Sequence, residues 1–196
     1  MPKVILFCED NAHEAVLPSV LRHLAASAEI NLVIDVRSST GGAGRVVHEL
    51  KRFIKQFKLN REPLPDLLVI GRDANCRGVV DREKELTNVM KDFAGEYVFA
   101  IPDPHIERWL LLDSAAFKRV FGKGCDLPDQ KCDKDRYKQL LRHAIRNADH
   151  VALLGGVEYA EEIVNAMDLK RIEAADASSF GRFLKEMRRY MKQWRE

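Results

Sequence analysis

The chain has 196 residues, of which 46% are hydrophobic and 32% are charged, and this composition is typical of a soluble globular protein. Its 32 Lys and Arg residues nearly balance its 30 Asp and Glu residues, so the formal net charge is +2, which excludes a histone-like polycation and an acidic disordered chain. No apolar run reaches the roughly 18 residues that would suggest a membrane span.

The first half of the chain alternates predicted strands with predicted helices. Short apolar runs, each ending in polar or turn-forming residues, predict strands at residues 4–8, 30–36, 67–71 and 97–101. Helical spacing of apolar residues predicts one helix capped by Asn11, with a kink or a late start at Pro18, and two more from Arg45 and over residues 81–93. This alternation predicts an α/β fold with a mainly parallel, Rossmann-like sheet flanked by helices.

The second half of the chain has a different character. Residues 122–136 are rich in Gly, Asp and Lys and predict a loop or a short linker. The pattern beyond them predicts helices at residues 137–148, 159–167 and 180–194. A short strand at residues 151–154 is an open alternative. We therefore predict an α/β domain over residues 1–121 and a mainly helical extension, packed on it, over residues 122–196.

Acidic side chains follow three of the four predicted strands. Glu9 and Asp10 follow the first strand, Asp73 follows the third, and Asp103 follows the fourth. Because the carboxyl ends of parallel strands meet at one edge of a sheet, these carboxylates are expected to gather there. Clustered carboxylates need a cation, and hard oxygen ligands suit Mg²⁺ or Mn²⁺ at sites of phosphoryl chemistry. For any single acid, the alternative is a helix cap or a solvated loop residue.

These acids also carry a resemblance to a known family. Glu9 after the first strand, Glu14 in the following helix and the Asp73-Ala74-Asn75 segment resemble a Toprim domain, the fold shared by topoisomerases, primases and OLD-family nucleases. A closer resemblance is to small bacterial defence-associated Toprim-like proteins. It rests on Glu9-Asp10, the glycine-rich stretch at residues 41–44, Cys76 near Asp73, and the His-x-Glu-x-Trp segment at residues 105–113. The resemblance covers residues 3–113.

The resemblance implies a Mg²⁺- or Mn²⁺-dependent nuclease, or nuclease subunit, acting on DNA or RNA in prokaryotic antiviral defence. It implies that Glu9 is the main metal ligand and a candidate general base, that Asp73 and Asn75 hold the metal, and that Glu14 supports a second ion. Asn75 stands where the family usually has a second Asp, so it contributes an oxygen without charge; Asp10 and Asp103 are the two candidates to restore that charge. The alternative, favoured by Asn75, is a non-catalytic Toprim-like module that binds nucleic acid or a partner ATPase.

The resemblance and the sequence also predict the partners of the protein and its cellular compartment. The sequence has no Walker motif, so the ATPase that the resemblance implies, of the ABC type or the AAA class, must be a separate chain. The N-terminal apolar run meets Glu9 too early for a signal peptide, which predicts a cytoplasmic protein without a membrane partner. Homo-oligomerisation stays open.

The segment around His105 has two readings. Glu107 either projects toward the acidic edge of the sheet as a catalytic group, or pairs locally with Arg108 or Lys118. His105 is a candidate general base or phosphate contact, and alternatively marks only the start of a helix.

Basic residues predict where a nucleic acid would bind. The predicted phosphate contacts are Arg45, Lys51, Arg52, Lys55 and Arg77. The glycine-rich stretch before Arg45 either cradles a phosphate or simply connects strand to helix. The C-terminal helix is also basic on one side, but its stripe of Phe183, Met187, Tyr190 and Trp194 predicts a helix docked on the core.

Four cysteines in a chain of this length do not predict a disulfide framework or a zinc site. Cys8 and Cys76 are predicted to be small buried apolar residues.

Overall fold

The computed structural model describes residues 1–40, 44–60, 63–177 and 179–195. The apolar runs form four strands, namely β1 (Lys3–Cys8), β2 (Val33–Ser38), β3 (Leu67–Gly71) and β4 (Tyr97–Ala100). They make one parallel sheet in the order β2-β1-β3-β4. The predicted α/β fold with a mainly parallel sheet is therefore confirmed.

The continuous apolar character of the central strands has a simple cause. Val4 and Leu6 of β1 point into one core, whereas Ile5 and Phe7 point into another on the opposite face. Every residue of β3 is buried. Since helices cover both faces of the sheet, neither face of a central strand meets water, and no polar alternation is needed.

Nine helices are present in the described ranges. They are α1 (Asn11–Ser27), α2 (Val46–Asn60), α3 (Gly78–Met90), α4 (Glu107–Leu110), α5 (Ser114–Phe121), α6 (Arg136–Asn147), α7 (Ala160–Ala166), α8 (Leu169–Ala175) and α9 (Phe180–Arg195). Helices α2 and α3 cover one face of the sheet, and the others contribute to the core on the other face.

The C-terminal helices complete the core around α1. Phe183, Met187 and Tyr190 of α9 are buried in the same core as α1, as the apolar stripe predicts. Three basic side chains of α9 form ion pairs with acids of this chain, namely Arg182, Arg188 and Arg195. The basic side of α9 is thus engaged largely within the protein.

Several predicted boundaries were wrong. Strand β2 begins at Val33, three residues later than predicted, because Glu29 has a positive φ of 59° and Ile30 N–H donates to Ala25 O, so these residues still terminate α1. The strand left open at residues 151–154 does not form: residues 151 and 152 have no regular secondary structure, and a turn begins at Leu153 and continues through Gly155 and Gly156, which have positive φ.

The start of α1 also differs from the prediction. Asp10, and not Asn11, is the N-cap, and its carboxylate accepts hydrogen bonds from the N–H groups of Ala12 and His13, each at 3.1 Å. The helix then continues through Pro18, which excludes the predicted late start.

One pair of cysteines departs from the predicted behaviour. Cys76 is exposed and forms a disulfide with Cys132, whose Cα lies 5.3 Å away. The loop before α6 returns to the carboxyl edge of the sheet at this point, and nothing in the spacing of the cysteines indicated it. Cys8 is buried and free, as predicted.

Candidate metal centre

Glu9 and Asp73 meet at the carboxyl edge of the sheet because the strand ladder extends past β1 and β3. Glu9 N–H donates to Gly71 O at 3.1 Å, and Asp73 N–H donates to the Glu9 carboxylate at 2.9 Å. Both side chains lie in residues that are less than a tenth exposed. Burial, and then the charge of Asp73, raise the pKa of Glu9.

His13 is the third member of this cluster, and it is fully buried on the first turn of α1. Its Nδ1 lies 2.7 Å from Asp10 Oδ1, and its Nε2 lies 3.4 Å from Asp73 Oδ1. Burial lowers the pKa of His13, but the charges of Asp73 and Asp10 outweigh it and raise the pKa to about 10. His13 is therefore an imidazolium at neutral pH when no metal is bound.

The donor set fits a divalent cation. Glu9, His13 and Asp73 each offer one ligand atom, and the three atoms lie within 4.8 Å of one another. Ligands on adjacent corners of an octahedral ion lie about 3 Å apart, which is close to the observed spacing of His13 Nε2 and Asp73 Oδ1. Both of these atoms are buried, and in the metal-free protein they form an ion pair with each other, so His13 Nε2 becomes a metal ligand only when it gives up its proton.

The other predicted ligands are placed differently. The three-residue group contains neither Asp10 nor Glu14. The carboxylate of Asp10 caps α1 and contacts the His13 ring. Burial alone would raise the pKa of Asp10, but these contacts outweigh burial and lower this pKa. Glu14 is half-buried on α1, directly after His13.

Asn75 and His105 form a pair of their own. Asn75 has a positive φ of 51°, and its Oδ1 lies 3.1 Å from His105 Nε2. Asn75 Nδ2 donates to the backbone carbonyl of Asp73 at 3.4 Å. The two side chains therefore support the turn that carries Asp73, and His105 does not line the groove in which Glu9 and Glu107 lie.

A second set of contacts holds Asp73 from the other side. Arg82 is buried and donates from Nε to the Asp73 carbonyl at 2.9 Å. Arg82 also forms an ion pair with Glu85, and Arg72 forms a second ion pair with the same carboxylate at 3.1 Å. Arg77, a predicted phosphate contact, lies 3.6 Å from the same Glu85.

Glu107 takes the first of its two predicted positions. It stands at the start of α4 and lines a groove of about 680 Å³ together with Glu9 and Asp10, which we call the acid groove. Arg108, its proposed local partner, instead donates to the backbone carbonyl of Asp129 at 3.0 Å. Burial, and then the charge of Asp73, raise the pKa of Glu107 to about 7.

The cations of the acid groove are not the predicted ones. Arg45, Lys51, Arg52 and Lys55 are exposed at or on α2, and none of them lines this groove. Lys138 and Arg142 of α6 line it instead. Of the predicted glycine-rich phosphate loop, residues 41–43 lie outside the described residues.

Sequence reasoning missed His13, Lys138 and Arg142. For His13 a signal existed, because it stands three residues after Asp10 and one turn into a predicted helix, a spacing that brings the two side chains together. For Lys138 and Arg142 none existed, since α6 reaches the acid groove only through tertiary packing.

The raised pKa of Glu107 predicts a pH-dependent effect on stability. A carboxyl whose pKa is higher in the folded protein favours folding at low pH, and this contribution is lost as the pH rises from about 4.3 toward 7. Glu107→Gln should therefore increase the free energy of unfolding of the metal-free protein by about 1–3 kcal/mol at pH 8, and by much less at pH 5. Urea denaturation in EDTA at both pH values measures this difference.

The matched control is Glu161→Gln, at an exposed position on α7. It should leave the free energy of unfolding unchanged at both pH values. An equal change at pH 5 and pH 8 for Glu107→Gln would show that the side chain acts through packing and not through its charge.

Comparison with known proteins identifies no relative. A scan against protein-family models, a search of curated proteins and a search of solved structures each returned no match for this chain. Within the described part of the chain, no helix has the length and apolar character needed to cross a membrane.

Proposed function

We propose that this chain is a Mg²⁺- or Mn²⁺-dependent nuclease, or nuclease subunit, that hydrolyses phosphodiester bonds of DNA or RNA. The observation that carries the proposal is the buried cluster of Glu9, His13 and Asp73, whose three ligand atoms lie within 4.8 Å of one another. Buried polar atoms in folded proteins are almost always satisfied. In the metal-free protein Asp73 Oδ1 has only its ion pair with His13 Nε2, and a divalent cation would take the place of the proton between them. The carboxyl edge of a parallel sheet is where such folds bind their ligands.

The residues of the chain divide the work between them. Glu9 and Asp73 would hold the ion, and His13 supplies the positive charge of the cluster when no ion is bound. When bound, the ion polarises the phosphate and lowers the pKa of a water molecule. Glu107, with a pKa of about 7, is suited to accept a proton from the attacking water at neutral pH. Lys138 and Arg142 balance the charge of the phosphate in the same groove.

The proposal also includes a partner protein, a cellular role and two positioning residues. The resemblance to defence-associated Toprim-like proteins supports a partner ATPase of the ABC type or the AAA class that gates cleavage, and a cytoplasmic role in antiviral defence. Asn75 and His105 are assigned a positioning role, since their contacts reach the backbone of Asp73.

A second candidate function is a non-catalytic module that binds nucleic acid or a partner ATPase. One observation favours it: the imidazolium of His13 lies between Asp73 and Asp10 and already compensates the negative charge of the cluster without any metal. In the nuclease, a metal ion would replace the ion pair between His13 and Asp73, whereas in the non-catalytic module this ion pair would persist.

Metal binding tests the choice between them. Isothermal titration calorimetry of the wild-type chain with Mn²⁺ and with Mg²⁺ should reveal binding, and Asp73→Asn should weaken it by about 100-fold or more, because a neutral amide replaces a charged carboxylate ligand. Asp81→Asn, at an exposed acid on α3, is the control and should bind like the wild type.

Cleavage of a fluorescent oligonucleotide, with and without EDTA, then tests hydrolysis. Metal-dependent cleavage supports the nuclease. If the wild type binds neither ion, or if Asp73→Asn binds as tightly as the wild type, the nuclease proposal is wrong and the non-catalytic module takes its place.

A further inference from the structure

One side of the acid groove is formed by a turn that carries two exposed leucines. Leu153 and Leu154 both line the groove, and they are 84% and 69% exposed. Val151 beside them is 65% exposed, and a contiguous exposed apolar patch rimmed by polar groups is the feature that marks a binding surface.

This turn is held firmly in place. The carboxylate of Glu158 accepts hydrogen bonds from the N–H groups of Leu154 and Gly156, at 3.2 and 2.9 Å. Gly156 has a φ of +101°, and a Cβ atom there would stand 2.5 Å from Ile145 Cδ1 of α6. The backbone of the turn therefore lies directly on α6, and the exposure of the leucines is a fixed property of the fold.

Helix α6 presents cations beside the turn. Lys138 and Arg142 line the acid groove, and Arg142 also lines the adjoining groove, which contains Arg146. The i, i+4, i+8 spacing places these three side chains in one row, about 6 Å apart along the helix axis. In the described part of the chain, Arg136 pairs with Asp129, whereas neither Lys138 nor Arg142 forms an ion pair.

We propose that the acid groove binds single-stranded nucleic acid, with an unpaired base against Leu153 and Leu154 and the flanking phosphates along Lys138, Arg142 and Arg146. This inference rests on the proposed nuclease function and names its substrate class. The cations and the exposed leucines match the two halves of a nucleotide, an anionic phosphate and an apolar base face.

The unpaired state follows from the position of the leucines. They stand in the same groove as Glu9 and Glu107, so a base that reaches them lies on the side of the candidate metal centre that Glu9 presents to the groove. A base within a duplex is stacked on both faces, and its flat surface is covered. Contact with the leucines therefore requires a base outside the stack, as in a single strand or at a frayed end.

Binding of labelled oligonucleotides tests the inference. The protein is the full chain carrying Glu9→Gln, in EDTA, so that neither cleavage nor metal uptake affects the result. A fluorescein-labelled single strand of mixed sequence should bind at least tenfold more tightly than a hairpin duplex of equal length, as measured by fluorescence anisotropy. Leu153→Ser with Leu154→Ser should weaken single-strand binding about tenfold and leave duplex binding unchanged.

Two further comparisons separate base contacts from phosphate contacts. An abasic strand should bind equally well to the protein with and without the two leucine substitutions. Lys138→Ala with Arg142→Ala should weaken binding of both the intact and the abasic single strand, and should reduce the slope of log K against log salt by about 1.4. The controls are Leu59→Ser, at a similarly exposed leucine of α2, and Lys91→Ala with Lys170→Ala, at two exposed lysines; Lys51→Ala with Lys55→Ala tests the competing position on α2.

The outcomes are distinct from those of the metal experiment. Equal affinity for single strand and duplex, or no effect of the leucine substitutions, overturns this inference even where the wild type binds Mn²⁺ and cleaves. A loss of affinity only for Lys51→Ala with Lys55→Ala would instead place the nucleic acid on α2. Single-strand binding without metal uptake would leave this inference standing and overturn the nuclease.

Discussion

Glu9→Gln should reduce the rate of metal-dependent cleavage by about 1,000-fold or more. Glu9 offers one of the three ligand atoms of the candidate metal centre, and an amide in its place supplies no charge to hold the ion. Losing several kcal/mol of transition-state stabilisation corresponds to this range, since about 1.4 kcal/mol is a factor of ten. The measurement is the initial rate of cleavage of a fluorescent single strand with Mn²⁺.

The fold should survive this substitution, which makes the result interpretable. Burial and the charge of Asp73 raise the pKa of Glu9, so a neutral amide is better accommodated there than a carboxylate. Gln can still accept the hydrogen bond from Asp73 N–H. The melting temperature in EDTA should therefore equal or exceed that of the wild type.

Glu14→Gln is the informative comparison, because Glu14 lies on α1 outside the three-residue group. A loss below about tenfold for Glu14→Gln fits a single ion at Glu9 and Asp73. A loss as large as that for Glu9→Gln would indicate the second ion that the family resemblance implies. Wild-type cleavage by a well-folded Glu9→Gln protein would contradict the assignment of Glu9 altogether.

The fold and half of the site were predictable because they depend on local sequence. The central strands β1 and β3 are short apolar runs, and burial on both faces of the parallel sheet makes such runs continuous. Glu9 and Asp73 directly follow two neighbouring strands, so the topology of a parallel sheet is enough to bring them to one edge.

The other half of the site depends on how distant segments return to that edge. The Cys76–Cys132 disulfide joins positions 56 residues apart, and no spacing rule predicts it in a chain with few cysteines. Lys138 and Arg142 are exposed residues of an ordinary amphipathic helix, and only the packing of α6 under the turn at Gly156 places them in the acid groove. Such contacts are tertiary and leave no local pattern.

Asp73, the proposed metal ligand, and Asp113 differ in how the fold uses their carboxylate oxygens. Both are buried, and both follow apolar runs in the sequence. One oxygen of Asp113 accepts the N–H groups of Ala115 and Ala116, and the other accepts the N–H of Asp168 at 3.0 Å. Both oxygens of Asp113 thus accept hydrogen bonds from the backbone, whereas Oδ1 of Asp73 accepts none and has only its ion pair with His13 Nε2.

Asp113→Ala should accordingly destabilise the protein by about 3–5 kcal/mol, because it leaves buried N–H groups without an acceptor and removes the ion-pair partner of Arg171, 2.7 Å away. Burial alone would raise the pKa of Asp113, but its N–H donors and Arg171 outweigh burial and lower this pKa. The carboxylate therefore stabilises the fold at neutral pH, and this contribution is lost as the pH falls through the lowered pKa. Urea denaturation at pH 7 measures the loss, with Asp126→Ala at an exposed position as the control. A loss below about 1 kcal/mol would show that α5 and α8 do not depend on this carboxylate, and the distinction between the two buried acids would then fail.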